Sequence, residues 1–182
     1  FYTDGKISID KNLAEKLSGI LPGDINHSFF CCSGSEANEG ALLLARLYTG
    51  RKEFLSLRGS LHGRTNLTMN TTAIPMWRAD PYTSDTVSFI PNTYSKDRDV
   101  EKAALQSIEA LERIIETKGG EKFAALIAEP IQGNGGIITP PKWYFKKIKE
   151  ILEKHGILLI IDEVQTGFAR TGKMFAIENY EV

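Results

Sequence analysis

Cysteine is scarce in this chain: there are two in 182 residues, and they are neighbours, Cys31 and Cys32. On an extended segment adjacent side chains point to opposite faces, so the usual long-loop disulfide is excluded. Buried thiols in a reducing, cytoplasmic compartment are expected instead. No apolar run reaches 18 residues and no charged-apolar-small leader opens the chain, so nothing points to membrane insertion or export. Net charge is nearly absent as well, with 22 Lys and Arg against 23 Asp and Glu, a balance of -1. Long-range attraction to nucleic acid or to an anionic membrane is not favoured, and small-molecule chemistry becomes the default. Histidine is limited to His27, His62 and His155, and no metal site is expected.

What is present is the composition of an ordinary globular domain, 42% hydrophobic and 25% charged. A chain of this size can bury roughly 70% of its unfolded surface around one core. It opens at Phe1 rather than Met and stops at Val182 directly after a motif-rich stretch, so a piece of a larger protein is expected.

β-Branched and aromatic runs at Phe29–Cys32, Glu53–Leu57, Thr86–Ile90, Phe123–Ala128 and Ile157–Ile161 predict strands. Between several of them lie apolar stripes at helical spacing: Ala37, Ala41, Leu44 and Tyr48; Ala104, Ile108, Leu111 and Ile115; Tyr144, Ile148 and Ile151. A further amphipathic helix is predicted over Asn12–Leu21. Breaks fall at Gly119-Gly120 and in the Gly133–Pro141 segment, and His155-Gly156 reads as a helix C-terminus. Alternating strand and helix predicts an α/β fold, a mainly parallel sheet with helices on both faces, whose C-terminal strand ends carry the chemistry.

The segment Leu158–Met174, LLIIDEVQTGFARTGKM, superficially joins an acidic strand end to a phosphate loop. Gly167–Lys173 fits G-x-x-x-x-G-K, but Met174 stands where the magnesium-binding Ser or Thr is needed. The residues between show no helical period either. A P-loop nucleotidase is therefore kept only as an alternative.

A better anion site lies upstream. CCSGSEANEGALLLAR, Cys31–Arg46, passes through Ser-Gly-Ser into a helix, and the Ser33 to Glu36 spacing is that of a capping box. Gly34 and Ser35 would offer free backbone N–H groups and the positive end of the helix to a phosphate monoester, with no Cβ at Gly34 in the way. Glu36 and Glu39 are tolerable there only if they point away. Asp162, ending a strand this apolar, needs a partner to stay charged. That partner is either a metal or a protonated pyridine nitrogen, the group a carboxylate holds in pyridoxal phosphate.

SGSEANEGALLLAR, LHGRT, AEPIQGNGG and PKWYFKKIKEILEKHGILLIIDEVQTGFARTGKMFA resemble, in order, the motifs of the class III pyridoxal-phosphate-dependent aminotransferases. The resemblance covers nearly the whole chain, and DEVQTGFARTG joined to EPIQG is its most specific part. It implies the cofactor-binding large domain of a fold-type-I enzyme, here residues 1–182 as an incomplete domain, a homodimer with active sites at the interface, and amino-group transfer between an amino donor and an oxo acid. By resemblance Gly34 and Ser35 hold the phosphate, Asp162 the pyridine nitrogen, Val164 one ring face, and Gln165 the ring hydroxyl. Glu129 is expected near the site, either on the substrate side or as a buried structural group, and His62 near the ring.

The pattern departs in three places. Leu61 stands where an aromatic residue usually covers the second ring face, forfeiting about 0.5–1.5 kcal/mol of aromatic pairing. The Schiff-base lysine of the family lies beyond the DEVQTG motif, and Lys173 does not match it, so the chain by itself is expected to be inactive. Asn134 stands where ornithine and 4-aminobutyrate members carry a Glu. A neutral side chain there tilts the expected donor toward an ω-amino acid or alanine, with pyruvate or glyoxylate as acceptor. A non-catalytic homologue or assembly domain is the other alternative.

Overall fold

A computed structural model describes residues 8–80, 84–180 and 182. Four strands, β1 (Glu53–Leu57), β2 (Val87–Ile90), β3 (Phe123–Ala128) and β4 (Leu158–Ile161), form one sheet in the order β2-β1-β3-β4. Every pairing is parallel. The helices are α1 (Ser8–Ser18), α2 (Gly34–Thr49), α3 (Asn66–Thr71), α4 (Val100–Lys118) and α5 (Tyr144–Lys154). None of the described helices is long and apolar enough to cross a membrane.

The central strand β3 reads FAALIA and is buried at all its positions, a pattern that requires cover on both faces. Alternation divides the core accordingly. Leu55, Leu57, Leu126 and Ala128 pack with Ile108, Leu111 and Ile148 of α4 and α5 on one face. Phe54, Ala125 and Ile127 pack with Leu42 and Ala45 of α2 on the other. Truncating Leu126, fully buried, to Ala removes about 2–5 kcal/mol of stability.

The stripes of α4 and α5 are buried as their spacing predicts: Ala104, Ile108, Leu111 and Ile115 in one, Tyr144, Ile148 and Ile151 in the other. Asp99 caps α4 by accepting the Lys102 N–H at 2.9 Å, and Gly119 ends it. His155 closes α5, followed by Gly156 at φ 60.

Several expectations fail. Phe29–Cys32 is not a strand: the segment joins no ladder among the described residues, and Phe29, Phe30, Cys31 and Cys32 are exposed. β-Propensity describes fit to a half-buried pleated surface, and β4 ends the sheet without offering one. The thiols are therefore exposed, not buried. In α2 the stripe Ala37, Ala41, Leu44 and Tyr48 does not face the sheet; Leu44 is 61% and Tyr48 83% exposed. The buried face is Asn38, Leu42 and Ala45, which has the same i, i+4, i+7 spacing and begins with a polar residue. The first helix ends at Ser18, leaving Ile20 and Leu21 in the turn beyond it. Strands β2 and β4 each start one residue later than expected.

Candidate active site

The registers Leu57↔Ile90 and Ala128↔Ile161 bring the C-terminal strand ends level. From β1 the chain proceeds outward to β2, and from β3 it proceeds the other way to β4. The loops after β1 and β3 diverge, leaving a crevice at the edge where open α/β sheets bind ligands. A cleft of about 340 Å³ lies here, within the usual range for small-molecule sites. The start of α2 contributes Ser33, Gly34, Ser35 and Asn38; the loop after β1 contributes Leu61, His62, Gly63 and Arg64; Trp77 closes one side. Glu129 and Ile131 follow β3, and Asp162, Val164 and Gln165 follow β4.

The sequence-derived residues Gly34, Ser35, Leu61, His62, Glu129, Asp162, Val164 and Gln165 are thus brought to one cleft. Asn134 is not: it is exposed and is not among the lining residues.

At the α2 end, Ser33 accepts the Glu36 N–H at 3.3 Å while Glu36 reaches back to the Cys32 N–H at 2.9 Å. The expected capping box is therefore shifted, its return bond made one residue earlier. Glu39 turns to the start of α3, accepting from Leu67 N at 2.9 Å, Thr68 N at 3.1 Å and the Thr65 hydroxyl at 2.6 Å. Both carboxylates are engaged elsewhere. The first amides of α2 keep the free N–H groups of a helix start, and Ser35 Oγ accepts the Arg64 N–H at 3.2 Å. A Cβ at position 34 would lie 2.8 Å from a Val164 methyl, so only glycine lets α2 approach the loop after β4 this closely.

Asp162 N–H still donates to Ala128 O at 2.8 Å, extending the ladder one residue past β4. Val164 lies beyond the strand, in a turn. Its side chain packs against Gly34. Asp162 is 4% exposed. Its Oδ2 accepts from Asn38 Nδ2 and His62 Nδ1, both at 2.8 Å, and its Oδ1 accepts from Val164 N at 3.1 Å. Two N–H donors on one oxygen match a carboxylate, and Oδ1 retains acceptor capacity toward the cleft. His62 Nε2 is buried without a hydrogen-bond partner among the described residues. His62 thus serves Asp162, and Asn38, four residues along α2 from Gly34, does the same from the other side. That interval is a rise of about 6 Å along the helix axis from Gly34 to the residue that holds the carboxylate.

Glu129, 5% exposed, accepts the N–H groups of Leu61 and Gly133, each at 3.0 Å. Burial pushes its pKa above the ordinary value, partly offset by those two amides. Arg64 stacks over the Trp77 ring at 5.6 Å and is the one cation among the lining residues described.

The loop from Gly167 to Lys173 forms turns, with Phe168 and Ala169 at positive φ. Only a short 3-10 segment, Ala176–Tyr180, follows, and not the α-helix that a phosphate loop opens, so the nucleotidase alternative fails on structure as well as sequence. Lys173 is exposed, and no lysine lines the cleft among the described residues. Sequence reading missed Asn38, Arg64 and Trp77. The position of Asn38 on the Leu42 and Ala45 face was the available clue.

Fold and site together define an α/β domain whose cleft is lined by a helix start, at Gly34 and Ser35, and by a buried carboxylate, Asp162. The chain matches the aminotransferase class-III family over residues 6–182 and belongs to that family. It is similar to the leucine/methionine racemase of Thermococcus litoralis, 42% identical over 181 residues that cover 93% of this chain and 40% of that protein. The acetylornithine aminotransferase of Methanothermobacter thermautotrophicus is 39% identical over 182 residues, covering 100% of this chain and 41% of its own length. Among solved structures, a PLP-bound amine transaminase from an uncultivated Pseudomonas species superimposes with a TM-score of 0.87 at 32% identity, covering 100% of this chain and 44% of that one. The chain spans about two fifths of the length of the curated relatives it matches.

Proposed function

We propose that the whole protein is a pyridoxal-phosphate-dependent aminotransferase that moves an amino group between an amino donor and an oxo acid. The observation that carries this reading is Asp162, buried, oriented by three donors and lining the same cleft as the α2 start. The residues present fit the cofactor: a glycine where a Cβ would close the approach, free helix amides for a phosphate, and a carboxylate for a ring N–H. Gly34 and Ser35 would hold the phosphate, Asp162 the pyridine nitrogen, Leu61 and Val164 the ring faces, and Gln165 the ring hydroxyl. When bound, the cofactor supplies an electron sink for the substrate Cα. Asp162 keeps the ring proton in place, His62 and Asn38 keep Asp162 aimed, and the apolar walls Leu61, Ile131 and Val164 exclude water.

Arg64, flattened against Trp77, is positioned for a substrate carboxylate. Lys173 is not assigned the tethering amine, which we place in the remainder of the whole protein. Homodimerisation is supported by the apolar outer face of α2, with Leu43, Leu44, Leu47 and Tyr48 50–83% exposed, next to exposed Phe29 and Phe30. Free, exposed Cys31 and Cys32 fit a reducing cytoplasm.

The donor is proposed to be an ω-amino acid or alanine, with pyruvate or glyoxylate as acceptor, on the sequence ground that Asn134 is neutral, although Asn134 does not itself line the cleft. A panel of amino donors against pyruvate, glyoxylate and 2-oxoglutarate tests both statements. Transfer that depends on an oxo acid is the expected outcome. Ornithine with 2-oxoglutarate as the best pair overturns the donor assignment, and inversion at Cα with no oxo acid consumed replaces transfer by racemisation.

A further inference from the structure

Glu129 sits where the loops after β1 and β3 part. Parallel pairing between these strands runs to Ser56↔Ile127; beyond it Gly135 packs close to the Gly59 carbonyl, and side chains make the hydrogen bonds between the two loops. Gln132 Nε2 donates to Arg58 O at 3.0 Å on the outside of this junction. Inside it, on the cleft, Glu129 Oε1 accepts the Leu61 N–H and Oε2 the Gly133 N–H. Leu61 and Gly133 belong to opposite walls. Gly133 in turn lies directly under Gln165, whose side-chain oxygen a Cβ at position 133 would overlap.

We propose that Glu129 is a positioning residue, a carboxylate clasp across the crevice that fixes Leu61 against the bound cofactor and, through Gly133, the Gln165 amide, without contacting substrate. The clasp rests on the pyridoxal phosphate reading above. A carboxylate is required because two N–H donors converge: glutamine accepts only through its oxygen and sets an NH2 group against the second N–H. Aspartate is one methylene too short to span both. Burial makes the ionised form costly here, and a group kept at such a cost in a cleft points to function rather than to stability alone. Both oxygens are committed to main-chain N–H groups, those of Leu61 and Gly133.

The test is a double-mutant cycle between Leu61→Phe and Glu129→Gln on the whole protein, reading the pyridoxal phosphate dissociation constant and the donor KM. With Glu129 intact, Leu61→Phe tightens cofactor binding about 2- to 10-fold by restoring an aromatic wall. Glu129→Gln alone weakens binding by about 10-fold with little change in KM, and it abolishes the gain from Leu61→Phe, because the backbone that aims residue 61 is released. If Glu129→Gln does not fold by circular dichroism, Glu129→Asp runs through the same cycle with the charge kept. Additive effects, or a change confined to KM, overturn the clasp while leaving the cofactor reading intact. A wild-type protein that binds no pyridoxal phosphate overturns both.

Discussion

The adjacent strands β3 and β4 both end in a buried carboxylate, Glu129 and Asp162, yet the two are held in opposite ways. Asp162 takes its donors largely from side chains, Asn38 on α2 and His62 after β1, and keeps acceptor capacity toward the cleft. Glu129 takes both donors from main chain and uses both oxygens to join two loops. At one strand end side chains orient a carboxylate that lines the cleft; at the other a carboxylate bridges the main chain of two loops. Burial of a carboxylate does not by itself tell the two apart, and the identity of the donors does.

The sharpest way to break this comparison is Asp162→Asn, which should lower transamination turnover by about 100-fold or more, equivalent to about 2.7 kcal/mol of transition-state stabilisation. Unchanged turnover would remove Asp162 from its role and make both strand ends structural. Gly34→Ala comes next. Its methyl would meet Val164 at 2.8 Å, so denaturant unfolding should show a loss of about 1–3 kcal/mol and cofactor titration about 10-fold weaker binding. Full retention of both would separate the α2 start from the β4 end.

A smaller effect distinguishes Glu129 by pH. Its folded pKa is raised above 4.5 by burial, so over the window from 4.5 up to the raised value the folded state binds more proton than the unfolded state. Its contribution to stability is therefore most favourable below the window and declines as pH rises through it. Relative to Glu129→Gln, the wild type should lose stability with rising pH across that window in pH-dependent denaturation. A flat difference would mean the carboxylate is not desolvated as its burial implies. The smallest expected change lies outside the site. Ala169 has φ 65, so Ala169→Gly should raise stability by up to about 1 kcal/mol with cofactor affinity unchanged. A change in affinity would extend the β4 site into this loop.

Much of this was legible in the sequence because its causes are local. Apolar continuity marked β3 and β4, and the stripes of α4 and α5 each had a single apolar solution. The Ser-Gly-Ser turn and the acidic end of an apolar strand marked the two poles of the cleft. Helix α2 was misread because two stripes share one spacing; Asn38 belongs to the buried one, since it must reach Asp162, 124 residues away. No periodicity records that demand. Phe29–Cys32 has strand propensity but no neighbouring strand, and a ladder needs both. Arg64 and Trp77 meet only through the turn after α3 and the Pro75–Trp77 helix, so their pairing is a property of the fold. The two roles open for Glu129 at the sequence level differ only in which N–H groups it meets.

The central claim is that Asp162 holds a proton on the cofactor ring. Nitrogen NMR of the whole protein loaded with pyridoxal phosphate labelled with 15N in the ring measures this directly. The account predicts a protonated ring nitrogen in the wild type at neutral pH and an unprotonated one in Asp162→Asn. The same ring-nitrogen shift in both proteins would contradict it.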